Sequence, residues 1–186
     1  IQQGVEEGGN YSREVFVPKD FSKSLIVAFP TTKSCLHVLD GHQVELPGYS
    51  GDGIVTDVAS YSRIDQIDMT SVSANVPRQI FGREPEHSWC YYYQKMNLAR
   101  QLEDWEAVAQ LADEAQFLDF RPEDYSEWVP ALEAYATLGE TKKARQAAAI
   151  IKSDRNMRFF LCRELEGGSL YPPPYDYEQI HELLCE

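Results

Sequence analysis

Positive charge is scarce in this chain. Its 186 residues carry 17 Lys and Arg against 30 Asp and Glu, a formal net charge of −13 at pH 7 with a sequence pI near 4.7. A nonspecific nucleic-acid binder needs a cationic surplus over its footprint, so that class is disfavoured. Long apolar runs are also missing: nothing approaches the roughly 18 residues of a membrane span, and residues 25–30 are too short for a signal-peptide core. The four cysteines, Cys35, Cys90, Cys162 and Cys185, include no CxxC pair and have no histidine in metal-ligand register beside them, which argues against zinc. The glycine-rich stretch 48–53 lacks the Lys and Ser/Thr of a phosphate loop and the strand-to-helix setting of a dinucleotide fingerprint. No serine stands in a GxSxG frame. The reading is of no cofactor, no metal, no nucleic acid and no catalytic residue in this stretch of chain.

What is present is an ordinary globular composition, 43% hydrophobic and 25% charged, enough for one good core or two small ones. The clearest structure lies at 87–118. Apolar residues recur there at Trp89, Tyr92, Tyr93, Met96, Ala99 and Leu102, then at Trp105, Val108, Leu111, Ala112, Ala115 and Leu118, the three-and-four spacing of two amphipathic helices. Glu103-Asp104 makes the turn between them. Ser126 is placed as the N-cap of a third helix with Pro130 in its first turn, and Gly139 stops it. Further helices follow at 141–151, with Ala144, Ala147, Ala148 and Ile151 inward, and at about 154–164. A short terminal helix around Tyr177, Ile180 and Leu184 docks back after the stiff Pro172-Pro173-Pro174 spacer.

Upstream, short β-branched and aromatic runs at 13–18, 24–30 and 35–40 read as strands, with a loop at 31–34 and a turn at Asp40-Gly41. The run 24–30 is apolar on both faces and is placed centrally in a small sheet. Val55, Val58, Ala59, Ile64 and Ile67 fit short helices. The fold class is α+β: a flexible lead (1–12), a small strand-containing segment (13–82) packed on a helical array (83–166), and a Pro-rich spacer with a terminal helix (167–186). About half the residues belong in helix, above the usual third.

The second hairpin resembles a tetratricopeptide repeat, with Trp128, Tyr135, Gly139, Ala144 and Ala148 at that family's large, large, turn, small and packing positions. In the first hairpin Glu103 stands where Gly139 does 36 residues later, and Val108 where Ala144 does. A wider stretch, SLIVAFPTTKSCLHVLD followed by IFGREPEHSWCYYYQKMNLARQLEDWEAVAQLADEA, resembles the soluble C-terminal region of uncharacterised or glycosyltransferase-like, multi-spanning bacterial membrane proteins. That resemblance implies a membrane-anchored parent with its spans upstream of Ile1, on either side of the membrane. The chain's start at Ile1 and its polar opening fit a piece of something longer.

The functional expectation is a non-catalytic protein-interaction or structural module, its partner a second protein or the membrane-embedded remainder of the same chain. The alternative is an accessory substrate-binding domain of a membrane glycosyltransferase. An independent enzyme would have to use Asp40, His42, Glu84, Glu86 and His87, but acids ahead of a helix are favoured electrostatically without any function. His37 reads as a surface or satisfied histidine, and His181 as surface. Consecutive aromatics cannot share one helix face, so while Trp89 can reach the inner stripe, Tyr91 must point toward the strand segment or a partner; the aromatic run reads as either interdomain packing or a binding groove, with Trp89 and Tyr91 as the candidate partner surface. Lys142, Lys143 and Arg145 gather positive charge as either a solvated face or a partner surface. The cysteines are either buried thiols of a reducing compartment or disulfides of an oxidising one. In the second case Cys35 and Cys90 are placed where strand segment and helices meet, and their bond would close a loop of about 55 residues, contributing roughly 4 kcal/mol before strain. Cys162 and Cys185 could pair across the Pro-rich spacer.

Overall fold

A computed structural model describes residues 7–10, 16–19, 24–41, 43, 45, 54–67, 78–83, 86–167 and 177–186. Two small antiparallel sheets come first. β1 (Glu7–Asn10) pairs with β2 (Phe16–Lys19), Glu7 opposite Lys19 and Asn10 opposite Phe16. β3 (Val27–Ala28) pairs with β4 (His37–Val38). The lead therefore holds a strand at 7–10: Gly8 and Gly9 have poor strand propensity, and it is the backbone ladder to β2 that fixes them. The central placement of 24–30 is also corrected. Ile26 and Ala28 pack toward Leu39 and Ala59, while Leu25, Val27 and Phe29 are 44%, 48% and 69% exposed, because a two-stranded sheet has only one covered face. Gly41 makes the turn after β4 at φ +85, and a Cβ there would lie 3.1 Å from the Ser60 backbone.

Eight helices follow among the described residues. α1 (Ile54–Ala59) and a 3-10 turn (Ile64–Gln66) fall where short helices were expected, and α2 (Arg78–Phe81) precedes Gly82. α3 (Trp89–Gln101) and α4 (Trp105–Phe117) form one antiparallel hairpin, α5 (Val129–Thr137) and α6 (Thr141–Lys152) a second. α7 (Arg155–Gly167) and α8 (Tyr177–Cys185) close the array. The start of α5 differs from expectation. A 3-10 turn (Tyr125–Trp128) precedes it, and the cap is Asp124, whose Oδ1 accepts from Ser126 N and Ser126 Oγ. The carboxylate two residues back satisfies the free N–H of Ser126, and the Asp124 carbonyl takes that of Glu127.

Helices α3, α4 and α5 end in the same motif. After each, one residue adopts positive φ (Glu103 at 57, Asp119 at 58, Gly139 at 71). The following N–H bonds back to the carbonyl five residues earlier: Asp104 to Ala99, Phe120 to Ala115, Glu140 to Tyr135. The spacing of Glu103 and Gly139 noted in the sequence thus joins equivalent helix ends. Each motif reverses the chain and lays the next helix against the last. Ala112, Ala134, Ala144, Ala147 and Ala148 are all essentially buried, and their small side chains let helix axes approach closely.

A single main core runs from Cys35 through Tyr93, Met96, Leu132, Tyr135 and Ile151 to Leu161, Leu165, Ile180 and Leu184. All four cysteines are paired. Cys35 bonds Cys90 (S–S 2.11 Å), tying the start of β4 to the first turn of α3, and Cys162 bonds Cys185, tying α7 to the end of α8. Among the described residues no helix is long and apolar enough to cross a membrane.

Candidate functional site

The least ordinary chemistry lies where β4 and the loop after it meet α3 and α5. Glu127, in the turn before α5, is fully buried and accepts bonds from three directions. Its Oε1 takes the Cys35 backbone N–H at 2.5 Å and lies 3.4 Å from His37 Nε2, and its Oε2 takes Trp89 Nε1 at 2.6 Å. The Trp89 and Trp128 rings meet at 4.9 Å above it. His37, 1% exposed, continues the chain through Nδ1 to the Tyr93 hydroxyl at 3.0 Å. Burial, with the charges of Glu45 and Glu127 adding to it, holds the Tyr93 hydroxyl well above the ordinary phenol range. The sequence reading of His37 as surface or satisfied resolves to satisfied.

Two helix turns beyond Tyr93, Arg100 enters the same junction between two buried carboxylates. Its Nη1 and Nη2 reach Glu45 at 2.8 and 3.3 Å, and Nη2 reaches Glu133 Oε1 at 2.7 Å. Nε lies 2.6 Å from Glu133 Oε2, ion-pairing distance without hydrogen-bond alignment. One guanidinium cannot fully compensate two carboxylates. Desolvation pushes the Glu133 carboxyl up to about 8 against the pull of Arg100, and Glu45 adds to the rise. The Arg100 guanidinium is held more firmly protonated by Glu133 and Glu45, whose attraction exceeds the opposing cost of burial.

None of Arg100, Glu45, Glu127 and Glu133 was singled out from the sequence. A signal existed: Arg100 continues the inner stripe of Trp89, Tyr93 and Met96, and Glu133 sits inside the otherwise apolar run VPALEAYA. A charge on a buried face demands a partner.

Of the residues an enzyme would have had to use, the described ones, Asp40, Glu86 and His87, are not brought together. Asp40 acts through its charge on Arg100 and Glu133, at the C-terminal end of α3. His87 lies before the opposite end of that helix, roughly 20 Å away at 1.5 Å per residue, exposed beside Glu86 and stacked on Tyr91 at 3.6 Å. His42 and Glu84 lie outside the described residues. Tyr91 lies half-buried at the margin of the core, its ring stacked on His87 and with the Lys95 ammonium 4.7 Å from its centroid, whereas Trp89 is inward on Glu127, which corrects its reading as partner surface. His181 lies 3.8 Å from Glu166. Among the described residues no three His, Cys, Asp or Glu side chains converge as a metal-binding group.

The basic cluster divides. Lys143 bridges Asp113 Oδ2 at 2.7 Å and Glu140 Oε2 at 2.5 Å, so its charge is spent inside the protein, and these bonds raise its pKa. Asp113 also accepts from the Tyr135 hydroxyl at 2.9 Å. Lys152 and Arg158 reach across to the last carbonyls of α8, Leu183 O, Leu184 O and Cys185 O. Lys142 and Arg145 stay exposed. Arg145 lines a groove of about 600 Å³ between α6 and α8 together with Thr141, Lys152, Ser153 and Gln179, with Glu182 as the opposing acid; Lys152 donates to Leu183 O and the Ser153 hydroxyl to Ile150 O.

No family model, curated protein or solved structure matches this chain. Its chemistry is therefore read from these two places. Most polar side chains of the junction bond within it, whereas in the groove the Arg145 guanidinium stays exposed.

Proposed function

We propose that the chain is a non-catalytic interaction and structural module built on a tetratricopeptide-like array, and that the α6–α8 groove receives an acidic segment of a protein partner or of its own membrane-anchored parent. The observation that carries this reading is the guanidinium of Arg145, exposed beside Lys152 in a groove of about 600 Å³ on a protein of net charge −13. Local cation on a globally anionic molecule orients an anionic partner and repels it elsewhere. The repeat assignment is supported by Ala144 and Ala148, buried at the close-packing positions, and by the shared turn after α3 and α5. The membrane-anchored parent rests on the resemblance of residues 24–40 and 80–115 described above.

Fluorescence anisotropy with labelled peptides tests the reading. A decaglutamate peptide binds the wild type and a decaglutamine peptide does not, affinity falls between 50 and 200 mM salt, and Arg145→Glu lowers it at least tenfold. Equal binding of both peptides, or an Arg145→Glu protein that binds as the wild type does, overturns it.

A further inference from the structure

Helix α8 is seated on the array as a bound ligand would be. It packs against α5, α6 and α7 through two apolar anchors one turn apart, Ile180 and Leu184, which are 2% and 0% exposed and join the same core as Leu161 and Leu165. Cations of the array take its last carbonyls: Lys152 Nζ donates to Leu183 O at 3.0 Å, and Arg158 donates from Nε to Leu184 O and from Nη2 to Cys185 O at 3.0 and 3.1 Å. Positive groups there also complement the negative end of the helix dipole. Glu178 and Glu182 stay exposed on the side away from the anchors, and Glu182 shares the groove with Arg145. The seat is thus made for a helix with an apolar face, an acidic face and an end at Lys152 and Arg158.

A covalent bond decides whether that helix stays. α8 has nine residues, and isolated helices shorter than about 12–15 are marginal in water, so away from its seat it unwinds. The Cys162–Cys185 bond closes a loop of 23 residues, which favours the seated form by a factor on the order of 10² in the chain-entropy description. Both of its cysteines are half-exposed. Cys35 of the other disulfide is only 3% exposed, and Glu127 Oε2 lies 3.2 Å from its sulfur. A thiolate attacking Cys35 meets that buried carboxylate, and attack on Cys90 makes Cys35 leave as an anion beside it. Of the two bonds, Cys162–Cys185 is the one that opens first.

We infer that Cys162–Cys185 is a redox latch over a helix-binding seat, and that with the latch open α8 gives way to a partner's acidic amphipathic helix carrying apolar residues at i and i+4. A dithiol reductant opens the latch: its thiolate attacks one sulfur, the other leaves as a thiolate and is protonated, and the reductant's second thiol then displaces the protein sulfur. Two protein thiols form as the reductant closes to its own disulfide. While the latch is closed, a partner competes with a helix tethered at a roughly millimolar effective concentration and favoured a further 10²-fold or so; once it is open, only the tether opposes the partner. The seat lies beneath α8, so the inference does not rest on occupancy of the α6–α8 groove.

Fluorescence anisotropy with a labelled peptide of residues 177–186 carrying Cys185→Ser reads the seat. Opening the latch, by Cys162→Ser with Cys185→Ser in the full chain or by dithiothreitol on the wild type, raises the apparent affinity for this peptide on the order of 10²-fold over the oxidised chain. The same peptide with Ile180→Asp binds neither form. Alkylation of the native, partly reduced wild type followed by mass spectrometry finds Cys162 and Cys185 labelled while the 35–90 peptide is still linked. Equal affinities of the open and closed chains, or no binding to the open chain up to the solubility of the peptide, overturn the inference, as does opening of the Cys35–Cys90 bond first. The reduced wild type supplies the comparison even where the double variant does not fold. Failure of decaglutamate to bind the oxidised wild type sinks the groove reading and leaves this comparison untouched.

Discussion

Around Arg100 and Glu127 the space between strand segment and helices is filled by His37, Glu45, Asn97, Glu127 and Glu133, all buried, with His37 bonded to Glu127 and both Glu45 and Glu133 bonded to Arg100. Around α6, α7 and α8 the same task falls to Ala144, Ala147, Ala148, Leu161, Leu165, Ile180 and Leu184. Each region carries one disulfide. Apolar packing tolerates small sliding and substitution of like for like. A hydrogen-bonded charge cluster tolerates neither, since each member is satisfied only when the others are in place. The polar junction therefore fixes one docking geometry for a strand segment with few strand pairings of its own, and the apolar end supplies stability without demanding such precision.

The comparison is broken most severely at Arg100. Arg100→Met leaves Glu45 and Glu133 buried without their cation and costs about 3–5 kcal/mol by urea denaturation, whereas adding Glu45→Met and Glu133→Leu recovers most of that loss. A single variant as stable as wild type would show that water already reaches the cluster.

Next come the two disulfides, separated by 55 and 23 residues. Replacing Cys35 and Cys90 with Ala costs about 4 kcal/mol and replacing Cys162 and Cys185 about 3 kcal/mol in the chain-entropy description. Alkylation of the unfolded, unreduced protein leaves all four cysteines unmodified, and mass spectrometry finds linked 35–90 and 162–185 peptides.

The third effect is a pH slope. The Glu133 carboxyl has a higher pKa folded than unfolded, so the folded state holds the additional proton between the ordinary value of 4.5 and about 8. Stability contributed by that group is complete below the lower value and is lost as pH rises through the window, by at most about 1.4 kcal/mol per pH unit. Subtracting the profile of Glu133→Gln from that of wild type isolates this slope. A flat difference between pH 5 and 8 would mean that Arg100 alone neutralises Glu133.

Most of the helical array was legible because its cause is local. The three-and-four spacing from Trp89 to Ile151 and the stop at Gly139 place α3 to α6 within two residues of where they fall. Lys142, Lys143 and Arg145 illustrate the limit: composition collects them, but only packing decides that Lys143 turns to Asp113 and Glu140 while Arg145 faces a groove. Strand β1 was hidden by its glycines, and the exposed face of β3 by a run apolar on both sides, since pairing partners are set by segments far along the chain. The buried acids were hidden for the same reason. Glu133 looks like any helical glutamate until Arg100, 33 residues earlier, is seen opposite it.

The bond from Cys35 N–H to Glu127 spans 92 residues, and that distance is also an interval of time. At about 5–20 residues per second a ribosome delivers Glu127 roughly 5–20 s after Cys35. Throughout that interval the β3–β4 segment has been made, yet the carboxylate that receives Cys35, His37 and Trp89 does not exist. The hairpin of α3 and α4 is complete before then, being built from neighbours, and so the β3–β4 segment, made earlier than that hairpin, is seated after it.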